Sequence, residues 1–170
     1  MIRYRRAQVD ELESLKSFLF EHGTNPWNNL PIDGVDNEFS LVAQGQASAL
    51  VATDNNQHVG FVIFYHPEIL PSQYHQFSDS NTTIYIAEAA VHKNYGGQGI
   101  GSKLLLLVIE SAPDFEASML IIDRHEQNAA SAGMMRKAGF TELRTFIDEP
   151  RRHYGSKKTT VLGITVTKQR

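Results

Sequence analysis

The chain has 170 residues, 41% hydrophobic and 21% charged, which suits one domain spanning residues 1–170 with a sizeable core. Its formal net charge of −3 argues against a nucleic-acid partner, and the Arg151-Arg152 and Lys157-Lys158 pairs are too short to change that. No cysteine is present, which excludes disulfides, cysteine nucleophiles and Cys-based metal sites, and no secretory or transmembrane pattern stands out, so the expected setting is cytoplasmic with no membrane partner.

Ile2–Arg6 alternates as a short strand. Asp10 and Glu13 stand at capping-box spacing, and Leu12, Leu15 and Leu19 recur at helical intervals, predicting a helix that ends near Gly23. Thr24–Pro31 is turn-rich and holds the single tryptophan, Trp27, which reads as a local anchor. A second helix is expected from about Asp36 to Gly45. Ala49–Thr53 and Val59–Tyr65, joined through Asp54–Gln57, read as a β-hairpin, with Gly60 marking a bulge or a close neighbour. Pro67–Asn81 is a long polar connection. Such loops are often functional, and this one is a candidate for acceptor selection, the alternative being a surface excursion.

The most informative stretch follows, Thr83-Ile-Tyr-Ile-Ala-Glu-Ala-Ala-Val91-His-Lys-Asn-Tyr-Gly96-Gly-Gln-Gly99-Ile-Gly101-Ser-Lys-Leu104. An apolar, β-branched strand from Ile84 to Val91 runs into a loop with four glycines in six positions. A strongly apolar helix begins at Ile100 and must stop before Pro113. Glycine lets a ligand approach the backbone, and the first helical N–H groups lack internal partners. The macrodipole adds about 0.3–1 kcal/mol of attraction for an anion. The stretch is therefore a phosphate-site candidate. A dinucleotide fingerprint fails because Gly97, Gly99 and Gly101 give G-x-G-x-G. A nucleotide-triphosphate loop fails because Gly101 is followed by Ser102-Lys103 in inverted order. An acyl-coenzyme A loop, [QR]-x-x-G-x-[GA], fits at Gly99 and Gly101 but has Gly96 at its first position.

Further on, Met119–Ile122 reads as a buried strand, and Asn128–Ala138 as a helix closed by Gly139. Phe140–Ile147 and Thr160–Thr167 read as two further strands, the last with Leu162, Ile164 and Val166 on one face. Strands separated by helices, with hairpins at both ends, predict an α/β single domain with a central mixed β-sheet flanked by helices.

From Ile84 to Phe140 the sequence resembles the GNAT superfamily of acyl-CoA-dependent N-acyltransferases. Ala89-Ala-Val-His-Lys-Asn-Tyr-Gly-Gly-Gln-Gly-Ile-Gly-Ser-Lys-Leu104 is similar to that family's pyrophosphate-binding segment. Asn128-Ala-Ala-Ser-Ala-Gly-Met-Met-Arg-Lys-Ala-Gly139-Phe140 is similar to its following helix, with matching spacing from Asn128 to Gly139-Phe140. The resemblance implies a GNAT-like fold and acetyl-CoA as cofactor. It implies that main-chain groups at Ala90 and Val91 meet the pantetheine arm and the thioester carbonyl. Gly96, Gly97, Gln98, Gly99, Ile100, Gly101 and Ser102 would hold the pyrophosphate. Asn128 would contact the arm; the residues alone favour a helix cap.

An alkylamine with pKa about 10.4 is neutral in fewer than about one molecule in a thousand at pH 7, so transfer needs a base. Glu88, set among Ala87, Ala89 and Ala90, is the candidate, because partial burial raises a carboxyl pKa towards the working range. The other reading is a strand glutamate facing solvent or paired with arginine. The family's usual thiolate-protonating tyrosine falls on Met135, and Tyr154 is a possible substitute, or else an exposed loop tyrosine. The seven histidines show no H-E-x-x-H spacing, so no metal is expected. The expected function is N-acetyl transfer to a primary amine of a small molecule or protein, by a monomer or homodimer. The alternative is a catalytically weak acyl-CoA-binding sensor.

Overall fold

The computed structural model describes residues 1–167 and places the glycine-flanked strand at the centre of one seven-stranded sheet. The strands are β1 (Ile2–Arg6), β2 (Ala47–Asp54), β3 (Gln57–Tyr65), β4 (Thr83–Val91), β5 (Met119–His125), β6 (Thr141–Ile147) and β7 (Lys158–Thr165). Four helices accompany them: α1 (Leu12–His22), α2 (Ile32–Ala43), α3 (Ile100–Ser111) and α4 (Ala129–Lys137). The strand order is β1-β2-β3-β4-β5-β7-β6, so the last strand inserts between β5 and β6. Of the pairs formed by the described residues, β4–β5 is parallel and the rest are antiparallel.

Period-two alternation divides the core into two layers. Val62, Phe64, Ile84, Ile86, Leu120 and Ile122 face α3 and α4, meeting Leu104, Leu105 and Val108. Each of those three helix residues is fully buried, and burying such a side chain contributes about 1.5–3 kcal/mol. Val51, Phe61 and Ile63 point the other way, onto Leu15, Leu19, Val35 and Phe39 of α1 and α2. The Pro67–Thr82 connection is not a loose excursion. It contains three short 3-10 turns, and its Leu70 and Tyr74 pack with Tyr85, Ile121 and Val161.

Several local expectations are corrected. The capping box sits on the 3-10 turn Val9–Glu11 that leads into α1, where Gln8 N–H donates to the Glu11 carboxylate at 2.7 Å, and not on Asp10 and Glu13. The second helix begins four residues before Asp36, at Ile32, because Pro31 suits the position just ahead of a first turn. Its end is as expected: Gly45 at φ +80° lets Gln46 N–H reach Leu41 O, closing the last turn. Gly139 at φ +103° closes α4 in the same way, through Phe140 N–H to Met135 O. Gly60 has both properties expected of it. The register slips around Val59, and a Cβ on Gly60 would lie 3.0 Å from Ile100 Cγ2.

Two irregularities of β4 create the site. Ile63 pairs with Glu88 but Phe64 pairs with Ile86, so Ala87 is an extra residue and the strand bulges there. Without the bulge Glu88 would share the face of Ile84 and Ile86 and point into the α3 core. With it, Glu88 and Ala90 share the face of Ile63 and Phe61, towards α1 and α2. At the same level the parallel pairing ends. β4 and β5 pair from Thr83–Met119 to Ile86–Ile122, after which β4 stays with β3 and β5 with β7. The sheet forks.

Candidate active site

One side of the fork is built from main chain. The 3-10 turn Lys93–Tyr95 ends β4 and is pinned from three directions. His92 Nδ1 accepts Asn94 N–H at 3.0 Å, His22 Nδ1 accepts Lys93 N–H at 3.1 Å, and Tyr95 Oη donates to Asp54 at 2.9 Å. Gly97 and Gly99 follow at φ +78° and +77°, conformations that cost an ordinary residue about 1–2 kcal/mol. Gly99 is the N-cap of α3 and supplies no side-chain acceptor, which leaves the N–H groups of Ile100, Gly101 and Ser102 free to meet an anion. A Cβ on Gly96 or Gly97 would meet nothing within 4 Å, so the loop leading to the helix is open on that side. Gln98 is exposed beside them. The free edge of β4 from Ala87 to Val91, facing away from β3, can take an extended partner as an added strand would. These features fit a coenzyme A pyrophosphate and pantetheine.

Two side chains on this side make contacts within the protein. Ser102 Oγ donates to Met134 O at 3.3 Å, so only its main chain faces the loop. Asn128 Oδ1 accepts Ser131 N–H at 3.1 Å and caps α4, which is the role its residue type favours. One residue was missed in the sequence: a Cβ on Gly99 would lie 3.2 Å from Lys137 Nζ, so α4 brings a cation to the glycine loop. Its signal is weak, being a lysine two residues before Gly139 in a helix read for its asparagine.

The other side is built from side chains around a cavity of about 270 Å³, floored by β4 and β5 where they part. Residues 28–31, α2, α4 and residues 150–152 wall it. Glu88 lines it, and so does Glu38 from α2. Burial pushes both carboxyls upward. The Glu88 charge raises Glu38 further, whereas the hydrogen bond with Glu38 draws Glu88 back. Glu88 is half-buried in the cavity wall, and among the described residues it forms no salt bridge with an arginine. Glu38 was legible in principle. Val35, Glu38, Phe39 and Val42 stand at i, i+3, i+4 and i+7, so a carboxylate lies on the face that α2 turns to the sheet.

Beside this pair lies a satisfied ionic network. Asp123 Oδ1 and Oδ2 accept Arg151 Nη2 and Nη1, both at 3.1 Å, and Oδ2 also accepts Tyr85 at 2.9 Å and Tyr74. Burial alone would raise Asp123, but the Arg151 charge and hydrogen bonds outweigh it and hold the carboxyl below its usual range. Arg152 Nη2 stands 3.5 Å from Asp123, while its Nε donates to Thr159 at 2.8 Å. The Arg151-Arg152 pair thus anchors the β6–β7 connection over the cavity.

Tyr154 does not line the cavity. It is 55% exposed and packs edge-on to Trp27, with ring centroids 5.4 Å apart, while the tilted ring of His125 lies 4.8 Å from that of Trp27. Trp27 is an anchor that joins the α1–α2 connection to the β6–β7 connection above the site. Met135 is buried, lines the cavity, and offers no proton. Among the described residues no helix is long and apolar enough to cross a membrane.

Comparison with known proteins accords with this geometry. Residues 11–140 match the model of the Acetyltransferase (GNAT) family. No protein of curated function matches the sequence. The fold is similar to AAC(6′)-Ib in complex with paromomycin and acetyl-CoA, at 18% identity and a TM-score of 0.73, covering 96% of this chain and 93% of that one. It is also similar to ribosomal-protein-alanine N-acetyltransferase from Brucella melitensis, at 22% identity and a TM-score of 0.71, covering 96% and 99%. An N-acetyltransferase from Staphylococcus aureus Mu50 superposes at 19% identity and a TM-score of 0.73, covering 97% and 98%.

Proposed function

The chain belongs to the GNAT acetyltransferase family and uses acetyl-CoA, and from that premise we propose that it acetylates a primary amine seated in the cavity at the β4–β5 fork, with Glu88 as the base. The observation that carries this reading is the bulge at Ala87, which turns Glu88 out of the α3 core and into the cavity. Acetyl-CoA supplies an acyl group already activated as a thioester. The free edge of β4 and the N–H groups of Gly97 through Ser102 orient it. Glu88 accepts the proton that an ammonium must lose before its nitrogen can attack, and its raised pKa suits that transfer near neutrality. Two connections and two helices wall the cavity in which the amine nitrogen would sit.

Met135 supplies no acid for the departing thiolate. A thiol with pKa about 8.5 is a good enough leaving group to depart without one. The ionisable Glu88 in the cavity favours transfer over a sensor role, since acyl-CoA binding alone has no use for a base. A 270 Å³ cavity admits a small amine or the tip of a longer one. Paromomycin and a ribosomal-protein alanine, from the neighbours' descriptions, bracket those two kinds of acceptor.

The test is turnover of acetyl-CoA over a panel of primary amines, for wild type and Glu88→Gln. Wild type should acetylate at least one amine, and Glu88→Gln should lower turnover by about 10²–10⁴. A folded Glu88→Gln enzyme with full activity would place the base elsewhere.

A further inference from the structure

Two histidines that the reaction above does not use hold the turn ahead of the glycine loop. His22 ends α1, and His92 follows the last residue of β4. Their tilted rings lie with centroids 4.0 Å apart, Phe18 is 4.6 Å from His22, and Tyr95 is 5.4 Å from His92. The His22 side chain is only 6% exposed. Each ring takes a main-chain N–H of the turn on its Nδ1, Lys93 N–H on His22 and Asn94 N–H on His92. A main-chain N–H can only donate, so both Nδ1 atoms are acceptors. Both rings are therefore neutral, with the proton on Nε2.

We propose that His22 and His92 are positioning residues for acetyl-CoA: as neutral rings they hold the Lys93–Tyr95 turn, and with it the glycine loop, in the arrangement that binds the cofactor, and protonation releases it. The proposal rests on the reading of the glycine loop as the pyrophosphate site, and on nothing about Glu88 or the acceptor. Protonation puts a hydrogen on Nδ1, where a main-chain N–H already points. Two donors cannot share that contact, so the turn or the ring must move. A second proton would set two like charges in rings 4.0 Å apart. Gly96 is the C-cap of the turn and Gly97 follows it directly, so a displaced turn carries the loop with it.

The other charged and titratable groups around the pair are few. Glu21 Oε1 lies 3.7 Å from His22 Nε2, Lys93 follows His92, and Tyr95 Oη is committed to Asp54. Burial, with the nearby His92 and Lys93, opposes a charge on His22, while Glu21 favours one. Burial and the two basic neighbours prevail, and the ring titrates below the usual histidine range. With a depressed folded-state value, the hold on the turn is complete above the ordinary histidine range and is lost as pH falls through the depressed value.

The experiment is calorimetry of acetyl-CoA with the full chain from about pH 8 down to about pH 5, where histidine titrates. Wild type is compared with the double variant His22→Asn, His92→Asn, whose amide oxygens stand where Nδ1 stood and accept an N–H without taking a proton. The phosphate monoester of coenzyme A itself titrates near about pH 6, equally for both proteins. The ratio of the two dissociation constants, wild type over double variant, therefore isolates the rings. It should rise at least about threefold between pH 8 and pH 5. At pH 8, His22→Phe, which keeps the ring packing without an acceptor, should bind acetyl-CoA more weakly than wild type, and His22→Asn should recover most of that loss. A ratio that does not change with pH overturns the proposal. So does a ratio that falls at acid pH, the mark of an imidazolium that simply attracts the pyrophosphate. Proton spectra of the wild-type imidazoles give a second readout that needs no variant. By reciprocity, acetyl-CoA should lower the pH at which His22 titrates, and an unchanged or raised value overturns the proposal. If Gly99→Val abolishes binding while wild-type binding ignores the rings, the glycine-loop reading stands and the histidines' role falls. If wild type binds no acetyl-CoA at pH 8, the loop reading falls and this proposal with it.

Discussion

The two sides of the fork are made from different materials. The cofactor side is nearly all main chain: a free strand edge, a glycine loop and the first turn of α3, contiguous from Ala87 to Ser102. The acceptor side is all side chain, with Glu38, Glu88, Asp123 and Arg151 drawn from α2, β4, β5 and the β6–β7 connection. A ligand common to many enzymes can be held by backbone, whose geometry survives changes of side chain. An acceptor particular to one enzyme must be read by side chains, and those can arrive from anywhere in the fold. The comparison predicts that damage to one side leaves the other's function standing.

The largest effect on the fold itself should come from the acceptor side. Asp123 is buried and binds two arginines and two tyrosines. Asp123→Asn should cost about 3 kcal/mol, the low end for a broken buried pair because Arg151 is partly exposed. Since the folded-state pKa of Asp123 is depressed, the contribution is present above the ordinary aspartate range and is lost as pH falls through the depressed value. Denaturant melts should therefore show the gap between Asp123→Asn and wild type closing below about pH 4.

On the cofactor side, Gly99→Val places a branched side chain at φ +77° and against Lys137 Nζ. Acetyl-CoA at a hundred times its dissociation constant should stabilise wild type by about 2.7 kcal/mol in a melting scan. The variant should show no such gain. An unchanged gain in folded Gly99→Val would remove the glycine loop from the cofactor site. Lys137→Ala should weaken acetyl-CoA binding by about 0.2–1 kcal/mol, the range for an exposed ion pair, with the difference vanishing at high salt. Smallest of all, Tyr154→Phe should leave turnover unchanged, because Tyr154 lies outside the cavity lining; a fall of about 10² or more would make it the proton donor after all.

What could be read from the sequence follows the same division. The glycine loop and the Asn128–Phe140 helix are local patterns, and so are β1, the hairpin turn at Asn55-Asn56 and the closure of two helices at Gly45 and Gly139. Their geometry depends on a few neighbouring dihedrals, so residue type announces them. The start of α2 was misplaced because Pro31 read as the end of a loop and not as an entry to a helix. The bulge at Ala87 left no mark, since Ala-Glu-Ala-Ala has neither glycine nor proline to signal an extra residue. Asp123 and Arg151 stand 28 positions apart, and nothing local in either segment names the other. Glu38 was visible only once the face of α2 was known.

Glu88 on the acceptor side of the fork serves the acceptor alone. The dissociation constant for acetyl-CoA, measured by calorimetry on Glu88→Gln beside wild type, tests this most directly. The fork predicts an unchanged constant in a variant whose turnover has dropped by about 10²–10⁴. A constant that rises in step with the loss of turnover would contradict it, and would put Glu88 on the cofactor side.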